Sequence, residues 1–101
     1  MSGEDENATD EPTEEVRVWL VERTFSDDEQ NIIIHVYATP DGTQYHREER
    51  AVTSFTGARD TTAAVEVAPR NLGQVDDPDT REQYATEAQR MRADHDPDDA
   101  I

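Results

Sequence analysis

Apolar residues fall into four short runs separated by polar segments and followed by one stretch of helical spacing, and each run predicts its own element. The first, residues 16–25, reads Val-Arg-Val-Trp-Leu-Val-Glu-Arg-Thr-Phe and is rich in the β-branched and aromatic side chains that suit a pleated, half-buried strand. Alternation puts Val16, Val18 and Leu20 on one face and Trp19, Val21 and Phe25 on the other. The second run, residues 31–38, holds Ile32, Ile33 and Ile34 and is too short and too β-branched for a helix. Residues 26–30 between them are polar, so the two runs are expected to pair as a hairpin.

Next comes Thr39-Pro-Asp-Gly-Thr43, in which Pro40 fixes φ for the first turn position and Gly42 takes positive φ at no steric cost. A type I turn closed by Gly42 as a bulge sets Thr39 opposite Thr43, and then Tyr37 opposite Tyr45, His35 opposite Arg47 and Ile33 opposite Glu49. The third strand is thus residues 44–52. Its centre, Arg47-Glu-Glu-Arg50, is charged on both faces, as suits a strand that must resist edge-to-edge aggregation. Residues 53–60 read as a loop around Gly57. A fourth strand over residues 61–67 turns Ala63, Val65 and Val67 inward and stops before Pro69.

From Asp77 the pattern is helical. Asp77 can cap, Pro78 suits the first helical position, and Asp79 and Glu82 favour the positive end of the helix dipole. Tyr84, Ala88, Met91 and His95 then share one narrow face. These elements predict an α+β fold: a four-stranded antiparallel meander in strand order 1-2-3-4, with one C-terminal helix across a face. The single domain spans residues 15–95. Residues 1–14 and 96–101 are acidic, offer too little apolar surface to offset their ordering entropy, and are expected to be disordered tails.

Charge changes the picture of the surroundings. Twenty-five Asp and Glu stand against nine basic residues, all of them Arg, for a net charge of −16. In dilute buffer such a charge repels itself, whereas at about 1 M salt the screening length shrinks to roughly 3 Å. The composition therefore predicts a halophilic protein whose acidic surface holds counterions such as K⁺ loosely. There is no Cys, which excludes thiol catalysis and thiolate metal sites. The acidic start lacks the basic and apolar regions of a secretory signal, and no apolar run approaches the roughly 20 residues of a membrane span. The expected compartment is the cytoplasm.

Candidate chemistry is sparse. His35, His46 and His95 lie on two strands and a helix end without ligand spacing, so no metal site is expected. With a quarter of all residues acidic, no carboxylate pair stands out as an acid and base. Thr53-Ser-Phe-Thr-Gly57 lacks the glycines and Lys of a phosphate loop and the pattern of a hydrolase elbow. Neither a catalytic residue nor a cofactor is expected.

One feature exceeds this background. The first two strands are apolar on both faces, while a single helix covers one. The face carrying Trp19, Val21, Ile33, His35, Tyr37, Tyr45 and Arg47 is accordingly expected either to be covered by the 53–60 loop and the 70–76 linker or to be an interaction face closed by a second copy or another protein. A second reading makes Trp19, Tyr37 and Tyr45 a stacking platform for single-stranded nucleic acid beside Arg17, Arg23 and Arg47, against which the net charge argues. A third is a small-molecule enzyme without a recognisable motif.

Four stretches carry a resemblance: Val18-Trp-Leu-Val-Glu-Arg-Thr-Phe-Ser-Asp-Asp-Glu-Gln30, Tyr37-Ala-Thr-Pro-Asp-Gly42, Thr53-Ser-Phe-Thr-Gly57 and Asp76-Asp-Pro-Asp-Thr-Arg-Glu-Gln-Tyr84. With them the chain resembles a family of small uncharacterised acidic proteins of halophilic archaea. The resemblance covers most of the chain beyond the N-terminal tail. It implies the source and the compartment, and no activity or functional residue.

Overall fold

The alternating runs form β1 (Val16–Ser26), β2 (Ile32–Ala38) and β3 (Gln44–Ala51), successive antiparallel neighbours as the spacing predicts. The computed structural model describes residues 14–26, 32–51 and 61–101. The tail before residue 14 and the loop around Gly57 lie outside the described residues. β4 (Ala64–Val67) and β5 (Gly73–Gln74) complete a five-stranded sheet in the order β4-β1-β2-β3-β5. A 3₁₀ turn over Pro69–Asn71 separates those two strands, and α1 (Pro78–Asp94) follows.

The expected four-stranded meander in order 1-2-3-4 is thus corrected at both edges. β4 pairs with β1, setting Val67, Val65 and Ala64 beside Val16, Val18 and Trp19. Apolar rows meet apolar rows. Beside β3 the same strand would have placed the run Arg47-Glu-Glu-Arg50 in the middle of the sheet, where charges lose solvent. Instead β3 stays near an edge, covered by β5 only along Gln44 and Tyr45.

The turn after β2 sets the register. Asp41 Oδ1 accepts bonds from the Thr39 hydroxyl (2.6 Å), the Thr43 hydroxyl (2.8 Å) and the Thr43 amide (3.0 Å). The Gly42 amide donates to the Thr39 carbonyl at 2.8 Å, the Thr39 amide to the Gln44 carbonyl at 3.1 Å, and Gly42 has φ 75°. Four residues, 40–43, make the loop rather than three. The pairing therefore moves by one residue from the expected one: Tyr37 faces His46, His35 faces Glu48, and Ile33 faces Arg50. A slip of one exchanges the faces of every β3 side chain.

A second irregularity lies in β1. Leu20 pairs with Tyr37 but Glu22 with Val36, so Val21 is an extra residue. Such a bulge inverts the alternation beyond it. Trp19 and Glu22 share one face; Leu20, Arg23 and Phe25 share the other. The expected grouping of Trp19, Val21 and Phe25 on one face is corrected accordingly.

Helix α1 begins as its sequence predicts. Asp77 accepts from the Thr80 amide at 3.0 Å, and Pro78 occupies the first turn. Those bonds hold the Asp77 carboxyl below its ordinary range, the Thr80 amide contributing most. Arg81 reaches back to the carbonyls of Val75 and Asp76 at 3.1 and 3.0 Å and ties the preceding segment to the first turn. Ala88 and Met91 are buried, with Tyr84 and His95 half-buried on the same stripe.

The helix lies on the Trp19 face. Val21 and Glu22 share a cleft with Tyr84, Tyr45 shares another with Thr80 and Tyr84, and the turn at Gly42 abuts the backbone of Arg81 and Ala85. Trp19, 4% exposed, joins Ala88, Met91, Ala64 and Val18 in the core, and Leu72 packs against it from the segment linking β4 to β5.

The C-terminal residues, expected as a solvated tail, are held by backbone bonds. The Ala63 and Ala64 amides donate to the carbonyls of Asp99 (2.9 Å) and Pro97 (3.1 Å), and the Ile101 amide donates to that of Thr61 (2.7 Å). Residues 61–64 are thereby fixed from two sides, since the Leu20 amide also donates to the Ala63 carbonyl. Backbone pairing does not need apolar side chains, which is why the acidic composition of this segment hid it.

Candidate interaction face

The residues expected to form one face divide between two. Trp19, Tyr45 and Arg47 lie on the helix side, and Ile33, His35 and Tyr37 on the side opposite, as the register dictates. Val21 is the bulge itself and lines a cleft against α1. Trp19 and Tyr37 are both buried, so the stacking row expected of a nucleic-acid platform is not assembled.

The helix-free face is a grid of three strands. Its rows, read from β1 through β2 to β3, are Leu20–Tyr37–His46, Arg23–His35–Glu48 and Phe25–Ile33–Arg50. Neighbours along a row stand about 5 Å apart. Phe25, at the end of the outer row, is 57% exposed, and among the described residues it and Ile101 are the large hydrophobic side chains most open to solvent. Ile33 beside it is half-buried. Sequence reasoning missed Phe25, Arg23, Glu48 and Arg50, because the bulge and the four-residue loop decide their side. Asp41, with a threonine two residues to either side, was the available signal for the loop.

His35 occupies the centre of the grid. It is 1% exposed, and neither ring nitrogen has a hydrogen-bond partner among the described residues. The nearest carboxylate, on Glu48, stands 4.0 Å from Nδ1 and also lies 3.3 Å from Arg50. Burial first, and then the positive charges of Arg23 and Arg50, push the His35 pKa below its ordinary value, with Glu48 opposing. Burial and the neighbouring arginines therefore disfavour the charged ring, and at 4.0 Å Glu48 offers it no hydrogen bond. Such an unpaired buried polar group costs about 1–3 kcal/mol. Tyr37 continues the row of rings, 6.2 Å from both His35 and His46, and burial raises its pKa, aided by Glu48.

Among the described residues no group of three or more His, Asp or Glu is arranged to hold a metal ion, and no helix is long and apolar enough to cross a membrane. Leu20, Tyr37 and His35 are already buried within the chain, so what the grid leaves open is its outer margin: Phe25 beside half-buried Ile33 and Arg50, with exposed Arg23 and half-buried Glu48 flanking them.

A small α+β domain with an edge-charged antiparallel sheet is the class that this geometry defines. The chain belongs to a family of unknown function, DUF7967, whose profile matches residues 12–101. No curated protein and no solved structure matches it.

Proposed function

We propose that the protein is a non-enzymatic, self-associating interaction module of a halophilic archaeal cytoplasm, and that two copies meet through the open outer margin of the helix-free face of the sheet. The observation that carries this reading is Phe25, 57% exposed beside Ile33 on the face opposite the helix. Aromatic anchors of this kind dominate interface energetics when they become buried.

The arrangement of charge favours a second copy as the occupant. A twofold axis running along the strands, between two facing sheets, exchanges the ends of each row. Arg23 then meets Glu48 of the second copy, Phe25 meets the guanidinium of Arg50, and Ile33 meets itself. The exposed ends of the middle row and the outer row are complementary to their own images, and the Phe25–Arg50 contact is of the cation–π kind. Two bodies of charge −16 repel over long range in dilute buffer, so the reading also requires concentrated salt.

Sedimentation equilibrium in 2 M KCl tests it. The wild type is expected to dimerise, and Phe25→Ala to weaken the dimer by about 30-fold, equivalent to about 2 kcal/mol. The variant's melting temperature should stay close to that of wild-type monomer, because an exposed ring contributes little to the fold. A wild type that remains monomeric at millimolar concentration would overturn the reading.

A further inference from the structure

Where β5 ends, the edge of β3 opens into a cleft of about 420 Å³, between Tyr45, His46 and Arg47 on one side and Arg70, Leu72 and Gly73 on the other. Its size falls within the range of small-molecule sites. None of the described residues lining it is acidic, although a quarter of the chain is. Two of its lining residues, Arg47 and Arg70, carry guanidinium groups, while the His46 side chain lies on the opposite face of β3. On a background of −16 this is a local inversion of sign, built from positions far apart in sequence.

The backbone adds a donor. Thr43 accepts from the Val75 amide, and Tyr45 pairs with Gly73 two residues on. The ladder alternates sides at each residue, so the Arg47 amide is directed to the same edge, past the end of β5. The 3₁₀ turn keeps Asn71 and Leu72 out of the ladder, their amides donating to Ala68 and Pro69. Gly73 makes the close approach possible, since a Cβ there would stand 2.5 Å from the Tyr45 ring.

Arg47 is engaged with Glu49 at 2.5 Å, but both side chains are about half exposed at 48%. A solvent-exposed pair of this kind contributes little and is readily exchanged for a better acceptor. Arg70 is exposed on the 3₁₀ turn that precedes β5.

We propose that this cleft binds the phosphate group of a small phosphate monoester. Two guanidinium forks and an amide match the oxygens of a dianion, and Arg forks favour bidentate acceptors. Chloride at molar concentration competes for single donors. A multidentate dianion gains from all of them together.

The test is an NMR titration of ¹⁵N-labelled full-length protein in 2 M KCl, with phenyl phosphate, inorganic phosphate and succinate in separate runs. Phenyl phosphate is expected to give saturable shifts confined to residues 45–47 and 70–73, with inorganic phosphate acting on the same signals. Arg70→Ala and Arg47→Ala should each weaken binding at least fivefold while leaving the circular dichroism unchanged. Glu49→Gln, which frees Arg47, should tighten it. The proposal is overturned if phenyl phosphate fails to saturate by about 50 mM, if succinate binds as tightly, or if the Arg47→Ala/Arg70→Ala double variant binds like wild type. None of these outcomes depends on whether the protein dimerises.

Discussion

Replacing Gly42 with alanine tests the join between the sheet and the helix. Positive φ alone, 75° here, costs a residue with a side chain about 1 kcal/mol. Collision with the helix costs more. A Cβ at Gly42 would overlap the Arg81 carbonyl oxygen and stand 2.9 Å from the Ala85 nitrogen. Both are helix backbone and cannot rotate aside as a side chain would. The turn and the first half of α1 must separate, also disturbing the 2.8 Å bond from Gln89 to the Pro40 carbonyl. Overpacking of this kind costs about 1–3 kcal/mol, so the total is about 2–4 kcal/mol, against a typical domain stability of about 5–15 kcal/mol. For a domain of this size that lowers the melting temperature by about 8 °C or more. Thermal melts in 2 M KCl of wild type, Gly42→Ala and Gly42→Asn give the answer. Asn tolerates positive φ but carries the same Cβ, so it should be nearly as destabilising as Ala. If Asn restores most of the wild-type melting temperature, backbone conformation alone explains Gly42 and the close approach to the helix is wrong.

Three other perturbations follow from the same structure. Trp19→Ala should cost about 3–5 kcal/mol of folding stability in chemical denaturation, because Trp19 lies in the helix-side core; a folded variant with altered association alone would contradict its placement. His35, whose pKa is lowered in the fold, favours the native state fully above its unfolded pKa of about 6.5, and that contribution is lost as pH falls below it, since the unfolded chain then takes up the proton first. His35→Phe should flatten the difference in denaturation midpoint between pH 7.5 and pH 5.5, and an unchanged difference would place the titration elsewhere. Cooperative melting by circular dichroism should disappear below about 0.5 M KCl, as screening of the net charge is withdrawn; a sharp native melt in dilute buffer would refute the dependence on salt.

The parts of the fold that were legible in the sequence are those governed by local chemistry. Pro78 behind the capping Asp77, the apolar stripe of Ala88 and Met91, and the positive φ of Gly42 depend on neighbours in the chain. The faces of the sheet do not. The extra residue at Val21 separates Trp19 from Tyr37, and the longer turn after Ala38 separates Tyr37 from Tyr45, each without altering the apolar pattern. The strand order could have been anticipated. The run Arg47-Glu-Glu-Arg50 already marked β3 as unsuited to a central place, and the apolar faces of β1 and β2 marked them as central. β5 has two residues, Gly73 and Gln74, and the C-terminal segment is held through its backbone; neither leaves a hydropathy signal.

The helix-free grid was half legible. Ile33, His35 and Tyr37 could be assigned to a common face from alternation within β2. Phe25, Arg23, Glu48 and Arg50 required the register. The charge pattern across the middle row, which makes the face complementary to itself, exists only once three strands are aligned.

That pattern gives the most direct test of self-association through this face. Sedimentation equilibrium in 2 M KCl should be run on Arg23→Glu, on Glu48→Arg and on the double variant, with circular dichroism to confirm folding. Each single change sets like charges against one another at both symmetry-related contacts and should weaken the dimer at least tenfold. The double change restores opposite charges in exchanged positions and should recover most of the wild-type affinity. Equal dimerisation of all four proteins, or a double variant no better than the singles, would contradict the account.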